Sequence, residues 1–265
     1  MSKLVVTLGL VLLALMADAQ EWQLMKKVKL ATTCELSSKD RNNYLYIADL
    51  RGNIYQYDKD GNQANLYSTR QLGQIYLLES WQGLRTFAFY QDLQEYLITD
   101  RFLSNERTYL LKPSNYIRLA TLSQDLNLWI LGEDNLLLQK INAIDQSVIL
   151  ENQWSNEFFG DDLNITYIKE YKNRVYLLDE SQRIIIFDNL GNFITTIDAK
   201  GVKKISFTDQ YIYANRGGEV IKIDLNSLQR EIIKLPVSTD QIHVIHGVYY
   251  LINKDELSMY AYKPL

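Results

Sequence analysis

The chain has 265 residues, of which 28 are Lys or Arg and 32 are Asp or Glu, giving a formal net charge of −4. Such a chain lacks the basic footprint of a nucleic-acid-binding protein, so we expect no nucleic-acid partner. The single cysteine, Cys34, excludes an internal disulfide, so a large apolar core must hold the fold together. We expect Cys34 itself to be a small buried side chain on an inner strand.

The N-terminal segment has the order of a secretory signal peptide. Lys3 supplies a positive charge, residues 4–16 form an apolar run, and the small residues at 17–19 fit a cleavage site. The run is shorter than the roughly 20 residues that span a bilayer. We therefore expect residues 1–19 to be a signal peptide and residues 20–265 to form a single domain without a membrane span. The protein is then exported, to a bacterial periplasm or the extracellular space.

One pattern of apolar runs and polar turns recurs along the rest of the chain. An apolar run ends in Asp, Asn or Gly, a polar turn follows, and a second apolar run ends at a nearly constant distance. The first runs are residues 44–49, 96–100, 128–132, 175–179, 211–215 and 249–253. A mean spacing of about 40 residues is typical of propellers, in which each repeat forms one blade.

Each repeat predicts a four-stranded sheet. We place the innermost strands near residues 31–36, 85–89, 117–121, 166–169, 204–207 and 242–245. The last repeat has no segment for an outermost strand, and the stretch from Trp22 to Val28 can supply it. A ring closed by its own first strand leaves no exposed sheet edge. The sequence therefore predicts an all-β, six-bladed β-propeller with four-stranded blades, the last blade closed by the N-terminal strand.

Two of the repeats carry a family resemblance. Residues 46–58, which read Tyr-Ile-Ala-Asp-Leu-Arg-Gly-Asn-Ile-Tyr-Gln-Tyr-Asp, and residues 176–188 resemble blades of six-bladed propellers of the NHL and TolB-like type. The Gly-His and Trp-Asp pairs of WD40 repeats are absent. The resemblance implies the six-bladed fold, and a fold by itself implies no activity.

Few residue types in the chain suit a catalytic site. The only two histidines, His243 and His246, fall on a predicted innermost strand, where residues three apart point to opposite faces. Two histidines exclude a zinc site with three imidazole ligands, and we expect both to be structural or to line the central channel. Nucleophile motifs such as Gly-x-Ser-x-Gly are absent. We expect no catalytic residue and no cofactor.

A polar insertion at residues 151–164 is the candidate for a metal. It carries Asp161 and Asp162, whose carboxylate oxygens suit Ca²⁺, without the spacing of an EF-hand loop. The alternative function is therefore a divalent-metal-dependent hydrolase or lactonase that acts in the central channel. A third hypothesis is that a surface rich in Tyr and Trp binds carbohydrate.

Loops that share one end of the predicted ring are the candidate binding surface. We expect the loop entering each innermost strand and the turn after each second strand to lie on one face, the predicted loop face. Its residues that suit an interface are Trp81, Trp154, Phe158, Phe159, Arg51, Arg101 and Arg216. Aromatic and Arg side chains anchor many interfaces, although these rings alternatively cover the edge of the core. We expect a monomeric binding or scaffold protein that engages a protein or peptide partner through this face.

Overall fold

The computed structural model describes residues 21–70, 73–80, 82–112, 116–133, 137–154, 163–180 and 182–263. These residues form six four-stranded antiparallel sheets arranged around one axis. The fold is a six-bladed β-propeller, which confirms the sequence prediction. Within the described residues there is no helix with the length and apolar character needed to cross a membrane.

The strands follow one another outward from the axis in each blade. Blade 1 comprises β2 (Leu36–Lys39), β3 (Leu45–Ala48), β4 (Ile54–Tyr57) and β5 (Gln63–Tyr67). Blade 2 comprises β6 (Leu77–Glu79), β7 (Arg85–Tyr90), β8 (Glu95–Asp100) and β9 (Arg107–Leu110). Blade 3 comprises β10 (Ile117–Leu122), β11 (Leu128–Gly132), β12 (Leu137–Ile141) and β13 (Val148–Gln153). Blade 4 comprises β14 (Ile165–Tyr171), β15 (Arg174–Asp179), β16 (Arg183–Asp188) and β17 (Phe193–Asp198). Blade 5 comprises β18 (Lys204–Phe207), β19 (Tyr211–Asn215), β20 (Glu219–Asp224) and β21 (Arg230–Lys234). Blade 6 comprises β22 (Gln241–Ile245), β23 (Val248–Asn253), β24 (Glu256–Lys263) and β1 (Glu21–Lys29).

The burial of each strand follows from the stacking of blades. The middle strands are apolar on both faces because a neighbouring blade covers each side. In β16, for example, the four residues from Ile184 to Phe187 are all completely buried. The outer strand β17 beside it has mainly exposed side chains. The core is therefore a ring of apolar layers between blades, and the axis is left free for polar side chains.

Aspartates fix the turns between third and fourth strands. Oδ1 of Asp58 accepts hydrogen bonds from the backbone N–H groups of Asp60 and Asn62, at 2.9 and 2.8 Å. Oδ1 of Asp188 accepts the same pair from Leu190 and Asn192, at 2.9 and 2.8 Å. An Asp that bonds the backbone ahead of it pre-forms a tight turn. The Asp-containing turns are therefore a local sequence signal that indicates the blade repeat.

Side chains of one blade also bond turns of the next. A phenol or guanidinium donates to a carbonyl in the neighbouring turn between third and fourth strands. The four pairs are Tyr250 to Lys59 at 2.7 Å, Tyr46 to Arg101 at 3.0 Å, Tyr96 to Ala143 at 2.5 Å, and Arg174 to Leu225 at 2.9 Å. These bonds satisfy polar groups at the blade seams and fix the stagger between blades.

The N-terminal strand closes the ring as predicted. β1 pairs antiparallel with β24 from Glu21 opposite Lys263 to Lys29 opposite Glu256. The ring of Trp22 lies 4.9 Å from that of Tyr249, edge to face, and its Nε1 donates a 3.0 Å hydrogen bond to the Lys234 carbonyl. Trp22 therefore joins the outer strand of blade 6 to its own blade and to blade 5.

Replacing Trp22 with Ala should weaken this closure. Loss of the aromatic contacts and of the hydrogen bond should lower the free energy of unfolding by about 3 kcal/mol, the lower end of the range for Trp→Ala. Urea unfolding followed by fluorescence or circular dichroism measures this. Met25→Ala is the matched control, because Met25 lies on the same strand and is 59% exposed; equal losses in the two variants would contradict the closure role.

The predicted innermost strands of blades 1 and 2 are wrong. Residues 31–35 precede the true strand β2, which shares only Leu36 with the predicted range, and residues 85–89 belong to β7, the second strand of blade 2. The true inner strand of blade 2, β6, has only three residues, so the longer apolar run of β7 gave the stronger signal. The run at 96–100 is consequently a third strand, and the turn that contains Arg101 changes ends.

Two smaller predictions also need correction. Cys34 is buried, as expected, but it lies in the loop before β2 instead of on a strand. His243 lies on β22, whereas His246 lies in the turn that follows, with a φ of +49°. The two histidines therefore differ in exposure, since His243 is buried and His246 is exposed, although both line a cavity on the propeller axis.

Candidate functional site

A cavity of about 730 Å³ lies on the propeller axis. It is lined by the innermost strands β2, β6, β14, β18 and β22, and at one end by the turns that follow innermost strands, namely residues 40, 41, 43, 124, 172, 208–210, 246 and 247. Pockets of this size hold small organic ligands. We call the end of the ring formed by the turns after first and third strands the cavity face.

Three lysines line this cavity, and burial lowers the pKa of each. They are Lys39 at the end of β2, Lys169 on β14 and Lys204 at the start of β18. Lys169 lies 3.5 Å from Oε1 of the buried Glu79, whose own pKa is raised by burial. Among the described residues, Lys39 and Lys204 have no such ion pair or hydrogen bond at Nζ.

A polar chain centred on Ser37 crosses from blade 6 to blade 1. Oγ of Ser37 lies 2.7 Å from Nε2 of His243 and 2.7 Å from Oε1 of Gln241. Gln241 also donates through Nε2 to the Glu35 carbonyl at 2.9 Å and to Sγ of Cys34 at 3.3 Å. Burial, with the nearby charges of Lys39 and Lys169, lowers the pKa of His243 to about 3. The imidazole is therefore neutral at physiological pH.

Two hydroxyls in the cavity wall have unused hydrogen-bonding capacity. Oγ of Ser206 and Oγ1 of Thr166 are buried, and neither has a hydrogen-bond partner among the described residues. Ser206 is only 7% exposed. Buried hydroxyls without partners are uncommon in folded proteins and need a specific explanation.

The charges at the cavity face are partly used within the protein. The Asp40 carboxylate accepts backbone hydrogen bonds from Asn42 and Tyr44, at 2.8 and 2.9 Å, and so is occupied by its own turn. The Lys172 ammonium donates to the backbone carbonyl of Asp209. Arg41 is exposed beside the turn of blade 2, where Asn42 Nδ2 donates to the Gly83 carbonyl at 2.9 Å.

The structure separates the predicted binding arginines between the two faces. Arg51 and Arg216 lie in turns after second strands, on the predicted loop face, and Arg216 pairs with Glu219 at 2.6 Å. Arg101 follows the third strand β8 and so lies on the cavity face. The three arginines do not form one cluster.

Of the aromatic residues predicted to bind a partner, Trp154 alone lies within the described residues. The Trp154 ring stacks on Phe187 with centroids 4.7 Å apart and packs against the core, as in the alternative in which these rings cover the core edge. Trp81, Phe158, Phe159, Asp161 and Asp162 lie outside the described residues. Elsewhere in the described chain, no group of three or more His, Cys, Asp or Glu side chains is placed to hold a metal ion. Binding at all these predicted residues stays a prediction.

Sequence reasoning missed the cavity residues Ser37, Lys39, Lys204 and Ser206. A signal was present in β18, where Lys204 and Ser206 alternate with apolar residues and must therefore share a face. For β2 no such reading was possible, because the innermost strand of blade 1 was placed too early in the chain.

No protein-family model and no curated protein sequence matches the chain. Solved structures share its fold at low identity. The β-propeller domain of Cps50 (Swd1) from Myceliophteria thermophila has a TM-score of 0.63 at 11% identity, over 91% of this chain and 99% of that one. A catalytically inactive virginiamycin B lyase from Staphylococcus aureus with quinupristin has the same four values. YCF48 bound to D1 peptide has a TM-score of 0.56 at 10% identity, over 92% of this chain and 98% of that one. These similarities show that the chain has the propeller fold shared by proteins of different function.

Proposed function

We propose that this protein binds a protein or peptide partner, and that the partner contacts the cavity face. The observation that carries the proposal is a set of exposed apolar side chains in turns of blades 2 to 4. Its members, called the apolar arc, are Leu84, Phe102, Leu126, Ile144 and Leu190. They range from 40% exposed at Leu126 to 86% exposed at Ile144.

Strand register brings members of the apolar arc together within each blade. Leu84 precedes Arg85, which pairs with Asp100, and Phe102 follows two residues later. In blade 3, Leu128 pairs with Ile141 across the two strands. Leu126 lies two residues before Leu128 and Ile144 lies three residues after Ile141, so their turns are neighbours. The turns of adjacent blades also touch, because Gln82 Nε2 donates to the Ser123 carbonyl at 3.3 Å. Asn152 Nδ2 of blade 3 also donates to the Leu190 carbonyl of blade 4 at 3.3 Å. The turns that carry the arc therefore adjoin one another from blade 2 to blade 4 and form a strip of surface.

The chemistry of this strip suits a protein interface. Exposed apolar patches rimmed by polar groups commonly mark interaction sites. The Arg101 guanidinium lies 4.5 Å above the Phe102 ring, so the strip holds an Arg and aromatic pair of the kind that anchors interfaces. YCF48, a propeller captured with a peptide, supports a peptide partner for this fold.

A binding role fits the state of the cavity histidine. A general base works best with a pKa near the working pH, and the pKa of His243 is about 3. Within the described residues no carboxylate bonds its Nδ1, so the pair of Ser37 and His243 lacks the third group that orients a catalytic imidazole.

Capture experiments with matched variants test the proposal. The tagged protein is incubated with an envelope extract of its source, and bound proteins are identified by mass spectrometry. We expect Leu84→Asp with Ile144→Asp to abolish capture of the main partner. Leu50→Asp should leave it unchanged, because Leu50 is 61% exposed in a turn of the opposite face. Capture that instead depends on Arg51 and Arg216 would place the partner on the predicted loop face and overturn our assignment.

The divalent-metal-dependent hydrolase or lactonase remains the alternative function, and calcium or zinc titration tests it. A metal at 100 times its Kd adds about 2.7 kcal/mol of stability, which a thermal melt detects. If neither metal changes the melting temperature, this alternative is excluded. Membership in the NHL or TolB-like type also stays a prediction.

We further propose that the protein works outside the cytoplasm after removal of residues 1–19. Expression of the full chain in a bacterial host should yield a periplasmic or released product whose N-terminal residue is Gln20. Intact mass spectrometry of the purified product measures this directly. A cytoplasmic product that retains Met1 would contradict export.

A further inference from the structure

The wall of the axial cavity has the opposite charge to the protein as a whole. Apart from two histidines, the described residues that line it include five cationic side chains and two carboxylates, although the chain has a formal net charge of −4. The cations are Lys39, Arg41, Lys169, Lys172 and Lys204. Even if Glu79 is counted as the partner of Lys169, a cationic surplus remains.

Once Lys169 is paired with Glu79, Lys39 and Lys204 are the two mostly buried cations that make up this surplus. Each is mostly buried, and within the described residues neither Nζ has an ion-pair or hydrogen-bond partner. Removing an ammonium group from water without a partner is costly. The carboxylates that favour the charged form are those of Asp209 and Asp40 for Lys39, and those of Glu180 and Glu35 for Lys204. Lys39 ends β2 and Lys204 begins β18, so the two lysines lie toward opposite ends of the inner strands.

The walls between these ends supply neutral donors. Ser206 Oγ and Thr166 Oγ1 are buried and have no hydrogen-bond partner among the residues that the structure describes, and each hydroxyl can donate one hydrogen bond. Tyr76 and Tyr171 from the lining add aromatic surface. Two separated cations with hydroxyl donors between them match a ligand that has anionic groups at more than one position and a polar body.

We propose that the axial cavity binds a small organic anion with two or more carboxylate or phosphate groups, held by Lys39 and Lys204 and hydrogen-bonded by Ser206 and Thr166. The cavity volume of about 730 Å³ is ample for such a molecule. This site does not depend on the partner proposed for the cavity face, because its ligand contacts the inner strands.

Calorimetric titration of the full-length mature protein with defined probes tests the site. Citrate represents the carboxylates and pyrophosphate the phosphates, with acetate and sorbitol as monoanionic and uncharged controls. We expect binding of citrate or pyrophosphate, weakened by added salt, and the preferred probe identifies the anionic group. Lys39→Met and Lys204→Met should each weaken binding about tenfold or more, as expected for loss of a charged hydrogen bond. Lys203→Met is the matched control, since Lys203 is the exposed neighbour of Lys204 in sequence.

Thermal melting gives an independent readout. Without ligand, Lys39→Met and Lys204→Met should melt at or above the wild-type temperature, because each removes an unpaired buried charge. With the preferred probe the order should reverse, since only the wild type gains a bound anion. Lys39→Gln and Lys204→Gln repeat the test if a methionine variant fails to fold. Binding of neither anion by the wild type, or equal binding by the Lys204 and Lys203 variants, would overturn the proposal.

Discussion

Lys169→Met should lower the free energy of unfolding by about 3 to 5 kcal/mol, the usual effect of removing one partner from a buried ion pair. Lys169 and Glu79 are 5% and 2% exposed, and their charged atoms lie 3.5 Å apart. The other Glu79 oxygen accepts a 2.7 Å hydrogen bond from Thr121, so the pair joins blades 2, 3 and 4. Without Lys169, this carboxylate would be buried with a single neutral donor. Urea unfolding at neutral pH measures the loss.

Two further variants separate the pair from a general effect of losing a lysine. Glu79→Gln added to Lys169→Met should recover much of the stability, because the amide keeps the bond to Thr121 and carries no charge. Lys27→Met should have little effect on stability, since its 2.8 Å pair with Glu256 is exposed to solvent. A Lys169→Met protein as stable as Lys27→Met would show that Glu79 does not need the ammonium.

The same pair predicts the pH dependence of the single variant. Burial raises the pKa of Glu79 above its ordinary value, and Lys169 is the main group that opposes this shift. A carboxyl group with a raised folded-state pKa stabilises the fold below its ordinary pKa and loses that contribution as the pH rises. Lys169→Met should therefore lose stability relative to the wild type as the pH rises from about 4.5 to 7.

His243 should make the wild-type protein sensitive to acid. Its pKa is lowered from 6.5 to about 3 in the folded protein, chiefly by burial. In the unfolded chain the imidazole takes up a proton below about pH 6.5, whereas in the folded protein it stays neutral until about pH 3. The unfolded state therefore binds more protons between these values, and stability falls as the pH falls. At pH 4 the loss from this group is about 3 kcal/mol relative to pH 7.

His246 provides the matched control for this experiment. It is the only other histidine, it is exposed, and it lies three residues away. We expect His243→Gln to flatten the stability profile between pH 7 and pH 4 and His246→Gln to leave it as in the wild type. Denaturant unfolding across this pH range measures both. If the His246 variant flattened the profile instead, the assignment of the buried imidazole would be wrong.

The blade pattern was predictable because its signals are local. Turns such as residues 58–62 and 188–192 combine an Asp that bonds the backbone with a Gly at positive φ, so they read directly from sequence. The closing strand was predictable because the last repeat has no segment for an outermost strand and the segment that begins at Trp22 belongs to no other repeat. The innermost strand of blade 2 was not predicted because β6 is only three residues long, too short to give a period of its own.

The site was less predictable than the fold because it depends on register. A shift of one residue moves a side chain to the opposite face of its sheet, and the innermost strand of blade 1 was placed several residues early. That error hid Ser37 and Lys39, which β2 directs to the cavity. Arg101 was assigned to the wrong face for a related reason, because one unrecognised inner strand reverses the end at which every later turn in that blade lies.

The pairing of β1 with β24 joins segments at the two ends of the described chain. Of the strands described, β1 is synthesised first and β24 last, so the ring cannot close until β24 has been made. Folding that depends on such distant contacts is slow. Truncation before residue 257 should consequently leave an unclosed sheet stack with two free edges, a species prone to aggregate.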